Sequence, residues 1–408
     1  MVVSKCPYWI SSLLLMLGFA TIIGDARLVA DYTFTRMADT ATSQAYQAPS
    51  INNARQAAFW RNDNSSVHRI DRWDQNSGTL TNLVTASRST NDSNPEFLSS
   101  RFGFNDLGQV AFLRTQSNVG GVIKSLESSG DLGGHVYWTT SSASSFHVSM
   151  ISNSARVVYS ETTNSVPSTT NVLTIDTNGS MQNFGRGSIA PSINASNQIA
   201  FIQERRLQLG SSPSNIQFIS LSTTMLPQNA VALNDSGKMA FIAADFSLAN
   251  SGYNLYSGEI GSGLVMVASA NQFSDLSSTN PSINNLGDLL FAGSVGGTRG
   301  IFSTAAGLST PLIKVGDSLD GSIVTGLSVS TDAINNQRDI AFLATFQDGR
   351  TGVYYGSLAA VPEPSSLLLV MLGGAVYGLN KKRKKRASQL AVTRLFGQSL
   401  SAKLSWSR

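Results

Sequence analysis

Residues Ile193–Phe201 read INASNQIAF, and the same nine-residue pattern recurs along most of this 408-residue chain. The other copies are INNARQAAF (Ile51–Phe59), FNDLGQVAF (Phe104–Phe112), ISNSARVVY (Ile151–Tyr159), LNDSGKMAF (Leu233–Phe241), INNLGDLLF (Ile283–Phe291) and INNQRDIAF (Ile334–Phe342). In each copy a short polar turn is followed by residues that alternate between polar and apolar and end in an aromatic. This alternation is typical of a β-strand. Seven copies with aromatics 40 to 53 residues apart indicate a tandem repeat.

The turn at the start of each copy has a readable chemistry. An Asx side chain can hydrogen-bond the backbone two residues on, and it opens the turn at Asn105, Asn194, Asn234, Asn284 and Asn335. Three residues later, a left-handed backbone position suits glycine, and Gly108, Gly237 and Gly287 stand there. Asn197 tolerates this position, whereas Arg55, Ala155 and Arg338 are less suited and are expected to weaken their turns.

The repeat length predicts an all-β fold. Each copy is followed by further short strand candidates, which makes three or four strands per repeat, and long helical periodicity is absent from the body. This is the length of a propeller blade and exceeds that of a β-helix or leucine-rich coil. We therefore predict a β-propeller-like ring of about seven repeats, or six if Ile151–Tyr159 belongs to an irregular insert. Leu28–Thr35 (LVADYTFT) is predicted to complete the blade begun near Phe342 and so to close the ring.

The repeat resembles the tandem NxxGxxxAF-type repeats of bacterial exported proteins with varied C-terminal anchors. The resemblance covers roughly residues 48–358, and the stretch 314–358 fits it best. It implies a propeller-like domain at the cell surface and transfers no catalytic residue. The repeated aromatics are expected to pack in the core and not to bind a cofactor.

The N-terminus has the pattern of a secretory signal peptide. Lys5 provides a positive charge, Leu13–Ile23 is apolar, and Ala26 follows as a small residue at a plausible cleavage point. A buried N-terminal strand or an uncleaved anchor is the alternative. Because the single cysteine, Cys6, lies in this segment, the mature protein is expected to have no disulfide bond.

The C-terminus has a second export pattern. Pro362, Glu363 and Pro364 precede an uncharged, mostly apolar segment (365–380), which is predicted to be a short transmembrane helix. A basic cluster follows and is predicted to stay on the cytoplasmic side, with the residues Lys381, Lys382, Arg383, Lys384, Lys385 and Arg386. A buried core helix is the alternative, but six consecutive cations at its end argue against it.

Residues 361–386 resemble the PEP-CTERM sorting signal of bacterial exosortase substrates. The resemblance implies export, transient anchoring in the membrane, and recognition near Pro362–Pro364 by an exosortase-type membrane protease or transpeptidase. Such tails usually stop soon after the basic cluster, whereas this chain continues with a basic extension (387–408). We thus predict a signal peptide (1–26), a repeat domain (27–360), a sorting signal (361–386) and this extension.

The charge distribution argues against nucleic-acid binding. The net charge is +4, but nine of the 29 basic residues follow Pro364, where there is no acidic residue. The body between Arg27 and Pro364 is therefore weakly acidic and has no basic stripe.

The sequence has no motif that assigns catalytic, cofactor-binding or metal-binding residues. It contains no Gly-x-Ser-x-Gly elbow and no nucleotide-binding loop, and His68, His135 and His147 lack metal-ligand spacing. A triad assembled from distant residues stays open. Calcium is a further alternative, for which carboxylate and amide oxygens are offered by Asp317, Asp320, Asp176 and Asn178.

Two functional hypotheses remain. The first is a non-enzymatic surface or extracellular-matrix protein that binds polysaccharide or protein through Asn-, Ser- and Thr-rich loops. Trp60, Trp73 and Trp138 could stack on sugar rings, although packing in the blade cores is favoured. The second is a secreted propeller hydrolase or lyase acting on polysaccharide. Acids or histidines clustered at one mouth of the central channel would favour the enzyme, and a rim without acids would favour binding.

Overall fold

The structure is a computed structural model that describes residues 32–39, 45–63, 67–87, 96–118, 121–130, 135–140, 144–163, 168–188, 190–248, 252–308 and 310–358. The chain divides into two units, Met1–Leu358 and Ala359–Arg408. The predicted signal peptide and all that was predicted beyond residue 360 lie outside the described residues. Within the described ranges, no helix is long and apolar enough to cross a membrane.

The described strands form seven antiparallel sheets, which follow one another along the chain as the blades of a propeller. Blade 1 contains β2 (Ala45–Tyr46), β3 (Ser50–Ile51), β4 (Gln56–Asp63), β5 (Val67–Asp74) and β6 (Thr79–Ser87). Blade 2 contains β7 (Glu96–Phe104), β8 (Val110–Asn118), β9 (Gly121–Ser129) and β10 (His135–Thr140). Blade 3 contains β11 (Ser145–Ile151), β12 (Val157–Thr162), β13 (Thr170–Ile175) and β14 (Met181–Arg186). Blade 4 contains β15 (Ser192–Ile193), β16 (Ile199–Gln203), β17 (Arg206–Gly210) and β18 (Ile216–Ser220).

The remaining blades have the same order of strands. Blade 5 contains β19 (Met225–Leu233), β20 (Met239–Asp245), β21 (Tyr253–Glu259) and β22 (Gly263–Ala268). Blade 6 contains β23 (Ser282–Ile283), β24 (Leu289–Val295), β25 (Thr298–Ser303) and β26 (Ile313–Lys314). Blade 7 contains β27 (Ser318–Leu319), β28 (Ser322–Ser328), β29 (Ile340–Phe346), β30 (Thr351–Leu358) and, from the N-terminus, β1 (Tyr32–Asp39). The prediction of a seven-bladed all-β propeller is confirmed, and the alternative that Ile151–Tyr159 belongs to an irregular insert is wrong, because blade 3 has four paired strands.

The repeated aromatics lie on the strand that follows the repeat turn in each blade, at the centre of the packing. Phe59, Phe112, Tyr159, Phe201, Phe241, Phe291 and Phe342 are all buried. In β20, Met239 and Phe241 pack with blade 4, while Ala240 and Ile242 pack with blade 6. The strand is apolar on both faces because each blade lies between two others. Each fully buried Phe stabilises the fold by about 1.5–3 kcal/mol.

The N-terminal strand closes the ring. Strand β1 pairs antiparallel with β30, from Tyr32 opposite Leu358 to Asp39 opposite Gly352. The Tyr32 hydroxyl donates a hydrogen bond to the Arg338 carbonyl (2.8 Å), and Phe34 meets Phe342 edge to face at 5.2 Å. The predicted closure by the N-terminal strand is confirmed over Tyr32–Thr35, while residues 28–31 of the predicted strand lie outside the described residues.

The seven repeat turns share one backbone conformation. The residue three after the opening Asn or Ser has a positive φ of 60° to 89° in every repeat, at Arg55, Gly108, Ala155, Asn197, Gly237, Gly287 and Arg338. The two arginines have a use that offsets their strain. Arg338 Nε pairs with Asp288 of blade 6 (2.8 Å), and Arg55 Nε pairs with Asp339 of blade 7 (3.2 Å). These turns therefore connect neighbouring blades.

Candidate functional site

The first strand of every blade and its flanking residues line a central cavity of about 700 Å³. Its described wall is mostly neutral, with the polar side chains of Gln47, Ser50, Ser100, Ser149, Gln228, Asn280, Ser328, Ser330 and Thr331. Two charged side chains line it, Arg101 from blade 2 and Asp332 from blade 7. No histidine is among the described lining residues. The described wall is thus partly polar and partly apolar, with one cation and one acid.

Irregular pairing of three inner strands shapes this wall. In β7, the pairing passes from Leu98 opposite Arg114 to Phe102 opposite Phe112. Three residues of β7 therefore lie opposite a single residue of β8. Strand β19 has the same irregularity between Pro227 and Val231, and β11 has one extra residue at Ser149. Such bulges re-aim side chains and are frequent beside functional sites. The extra residues include channel-lining Ser100, Arg101, Ser149 and Gln228.

Arg101 has an exposed guanidinium in this wall. Its backbone N–H donates to Ser99 Oγ (3.3 Å), whereas no described residue pairs with its side-chain nitrogens. Its charge reaches blade 3: burial lowers the pKa of His147, and the Arg101 charge lowers it further. The positive charge in the channel is therefore not neutralised by the described part of the chain.

Asp332 lies where the cavity narrows and borders both the channel and the turns at one of its ends. Its carbonyl accepts a hydrogen bond from Ile51 N–H (2.7 Å), but no donor from the described residues reaches its carboxyl group. Burial raises the pKa of Asp332 to about 7, and the carboxylate of Asp106 adds to the rise. This acid consequently changes charge near neutral pH.

The seven repeat turns meet at the narrow end of the channel and form a hydrogen-bonded ring, called here the turn ring. Its members are Asn52, Asn105, Ser152, Asn194, Asn234, Asn284 and Asn335. Each asparagine donates from Nδ2 to the carbonyl of the equivalent residue in the next blade, at 2.9 to 3.2 Å. The last bond, from Asn335 to Asn52, joins blade 7 to blade 1. Each Oδ1 also accepts from the backbone N–H four residues on, which holds its own turn.

A second ring runs beside the first. The side chains of Asp106, Asn153, Asp235, Asn285, Asn336 and Asn53 each accept from the backbone N–H of the equivalent residue in the preceding blade. Both rings are interrupted between blades 3 and 4. There Ser152 replaces asparagine and Ala195 has no side-chain acceptor. The two blades are joined instead by Ser154 Oγ, which bonds Asn197 (2.9 Å), and by Arg156 Nη1, which donates to the Ser211 carbonyl (3.3 Å). The turn residues named from the sequence thus hold blades together, and their polar atoms are largely used in doing so.

Sequence reasoning missed the channel residues. Asn52, Arg101 and Asp332 were not singled out. The inner strands precede the repeated segment and vary from blade to blade, so no recurring pattern marks them. The second ring did have a signal in the sequence. The residue after the turn asparagine, whose side chain accepts a bond from the preceding blade, is Asn or Asp in six of the seven copies.

The histidines lie on three different blades. His68 Nδ1 accepts from Leu98 N–H (3.2 Å), and His135 packs edge to face against Tyr137 at 4.8 Å. The third, His147, lies on β11 and does not line the channel. Across the described ranges, no group of three His, Cys, Asp or Glu residues could hold a metal ion.

The oxygens considered for calcium have protein partners. Asp317 accepts from Lys314 N–H (2.9 Å), and Asp320 accepts from the Tyr354 hydroxyl (2.9 Å). Asp176 pairs with Arg156 (3.4 Å), while Asn178 accepts from Ser180 N–H in its own turn (2.9 Å). Calcium binding by these residues stays a prediction.

The tryptophans serve mainly as packing residues. Trp60 and Trp73 are 7% and 5% exposed, so the core interpretation is confirmed for both and sugar stacking on them is wrong. Trp138 is half-buried between Phe146 (4.8 Å) and Tyr159 (6.0 Å). None of the three lines the channel.

Residues 360–384 match the PEP-CTERM protein-sorting motif. The chain carries a PEP-CTERM sorting motif. The motif implies export, sorting to the cell surface and processing by an exosortase-type membrane enzyme. Residues 229–368 also match a family of unknown function (DUF7453). No curated protein matches the chain.

One solved β-propeller structure shares this fold, and further solved structures align more loosely. The β-propeller domain of the Trilobed protease from Pyrococcus furiosus, which has an open velcro topology, aligns with a TM-score of 0.51 at 10% identity over 78% of this chain and 96% of that domain. A prolyl endopeptidase aligns at 0.49 and 10% identity over 88% of this chain, which spans 57% of that enzyme. The acylaminoacyl peptidase of Pyrococcus horikoshii aligns at 0.48 and 10% identity, over 81% of this chain and 54% of the peptidase. At such identity the likeness concerns the fold alone.

Proposed function

We propose that this exported protein is a non-enzymatic binding module whose central channel holds a segment of extracellular polysaccharide. The observation that carries the proposal is the channel itself. Its volume of about 700 Å³ lies in the range of ligand sites, and its wall is rich in hydroxyl and amide groups. These groups hydrogen-bond the hydroxyls of a sugar chain.

The shaping of the wall also favours binding. Bulges in blades 2, 3 and 5 turn Ser100, Ser149 and Gln228 toward one cavity, although a regular propeller needs none of them. Serine and glutamine are weak nucleophiles and weak acids on their own. They suit hydrogen bonding better than chemistry.

A second candidate is a polysaccharide hydrolase, and one observation favours it. Glycosidases use a pair of carboxyl groups. Burial raises the pKa of Asp332 to about 7, and the Asp106 carboxylate lies near it, so the two acids resemble such a pair. However, Asp106 accepts hydrogen bonds from Asn53 N–H (2.8 Å), Asn53 Nδ2 (3.2 Å) and Asn153 Nδ2 (3.2 Å). These bonds direct its oxygens along the second ring, so binding is the stronger proposal.

The test is equilibrium binding of the exported protein, purified from a host with the sorting machinery, to an array of oligosaccharides. Ser149→Tyr fills the channel and should abolish binding, whereas Ser220→Tyr on the exposed outer strand of blade 4 should leave it unchanged. Circular dichroism checks that both variants are folded. Loss of binding in both variants, or in neither, would place the ligand outside the channel.

Hydrolysis assays on the same oligosaccharides address the second candidate. The proposal predicts that the protein binds the oligosaccharides and does not hydrolyse them. Turnover that disappears in Asp332→Asn would establish the hydrolase instead.

A further inference from the structure

Arg101 differs from most other arginines of the propeller. Ion pairs with carboxylates hold Arg36, Arg55, Arg61, Arg69, Arg114, Arg156, Arg299, Arg338 and Arg350. Arg101 has no such partner among the described residues and projects from the bulge of β7 into the channel. A guanidinium has five donors in a planar fork that matches a carboxylate in two parallel hydrogen bonds.

We infer that the polysaccharide in the channel is acidic and that the Arg101 guanidinium binds a carboxylate on its sugar units. This inference rests on the proposed function and names its ligand class. Ser100 and Ser149 line the same wall and offer hydroxyl donors to the remaining sugar oxygens. A neutral chain would leave the one cation of the described wall without a partner.

The wall favours an acidic sugar chain over an acidic peptide. Peptides are usually held by aromatic or aliphatic anchors in apolar pockets. The aromatic lining residues here are Phe102, which is 8% exposed within a core cluster, and half-buried Tyr253. Among the described lining residues, the one exposed aliphatic side chain is Leu226, at 51%. The described wall also offers neutral hydroxyl and amide groups, among them Ser100 and Ser149, and these match hydroxyl-rich rings.

Asp332 sets the charge of the other side of the cavity. Its carboxyl group faces the channel and the Asp106 carboxylate acts on it from blade 2. When ionised, Asp332 repels an anionic ligand, and when protonated it does not. Binding of an acidic chain should therefore weaken as the pH rises through about 7, and Asp332→Asn should remove this fall. The other titratable group near Arg101 is His147, and burial and the Arg101 charge lower its pKa, so its contribution lies at lower pH.

The test compares binding of the exported protein to oligogalacturonate, to a malto-oligosaccharide of equal length and to oligoglutamate. We expect oligogalacturonate to bind best, with a loss of about 10- to 100-fold for Arg101→Gln. Arg101→Lys should recover part of the loss, because an ammonium keeps the charge without the fork. Arg186→Gln is the matched control: Arg186 is exposed on outer strand β14, where it pairs through its backbone with Asn171, and no described residue pairs with its side chain. Its replacement should have no effect.

Three results would overturn the inference. The first is equal binding of the neutral and acidic sugars in the channel, which would leave the proposed function intact. The second is equal binding of oligoglutamate. The third is unchanged affinity in Arg101→Gln with an unchanged urea midpoint. Binding of neither sugar would refute the proposed function together with the inference.

Discussion

Exchanging asparagine and serine in the turn ring should have opposite effects at two sites. Asn234 donates to the Asn284 carbonyl of the next blade (3.0 Å), and its Oδ1 accepts from the backbone N–H groups of Ser236 (3.1 Å) and Lys238 (2.9 Å). Ser152 holds the equivalent position in blade 3, where its hydroxyl contacts Ser154 (3.0 Å) and Arg156 N–H (3.2 Å). Only the asparagine reaches the neighbouring blade.

The size of the effect follows from the bonds changed. The Asn234 Oδ1 also accepts from Ser236 Oγ (2.8 Å). A serine at 234 can keep the bonds from Lys238 N–H and Ser236 Oγ, as Ser152 does with Arg156 and Ser154, but it loses the other two. Asn234→Ser should therefore lower the free energy of unfolding by about 2 kcal/mol, at about 1 kcal/mol per bond. Ser152→Asn adds one donor aimed at the Asn194 carbonyl. It should raise the free energy of unfolding by about 1 kcal/mol.

Urea unfolding followed by the fluorescence of buried Trp60 and Trp73 measures both changes. Asn178→Ser is the control, because Asn178 lies in an exposed turn and should change stability by no more than about 0.5 kcal/mol. If Asn234→Ser costs no more than this control, or if Ser152→Asn destabilises, the turn ring does not hold the blades together.

Three further predictions concern single positions. Burial raises the pKa of Asp332 from its ordinary value near 4 to about 7, so ionisation of this carboxyl group opposes folding. The free energy of unfolding should therefore fall as the pH rises from about 4 to 7. The fall should be at most about 4 kcal/mol, and less where channel water solvates the carboxyl group. Asp332→Asn should abolish that fall in urea midpoints at pH 4.5, 6 and 8, and an unchanged slope would refute it. Ala155→Gly should raise the unfolding free energy by about 0.5–1 kcal/mol, because φ is 60° there and glycine adopts a positive φ without strain. Gly237→Ala (φ 89°) should lower it by about 1–2 kcal/mol for the opposite reason. A lower urea midpoint for Ala155→Gly would contradict this account of backbone strain. Glu363→Ala in the sorting motif should leave the full chain in the membrane fraction by C-terminal mass spectrometry, and normal processing would show that the tripeptide is not what the enzyme recognises.

The repeated segment is enough to predict the fold because its determinants are local. An Asx turn, a left-handed residue and a strand toward a buried aromatic all lie within nine residues, such as Leu233–Phe241. Closure by β1 was also predictable, because the last blade lacked a strand and the N-terminus had an unassigned one. Arg55 and Arg338 were expected to weaken their turns because their side chains do not suit a left-handed position. That expectation missed their ion pairs with Asp339 and Asp288, which reach across blades and so have no local signal in the sequence.

The channel was not predictable from the same signals. Arg101 reaches it through a bulge, and a bulge in β7 depends on the register of Leu98 and Phe102 against β8. Asp332 is one acid among many in the sequence, and only the fold buries it beside Asp106. The turn ring joins residues 40 to 53 positions apart, and 283 apart where Asn335 meets Asn52, so its hydrogen bonds appear only once the blades are placed.

The most direct test of the account is a crystal structure of the exported protein soaked with oligogalacturonate at a concentration that saturates binding. The account predicts sugar density inside the central channel, with a carboxylate of the sugar on the Arg101 guanidinium and hydroxyls near Ser149. Sugar density on the outer strands of the blades, with none in the channel, would contradict it.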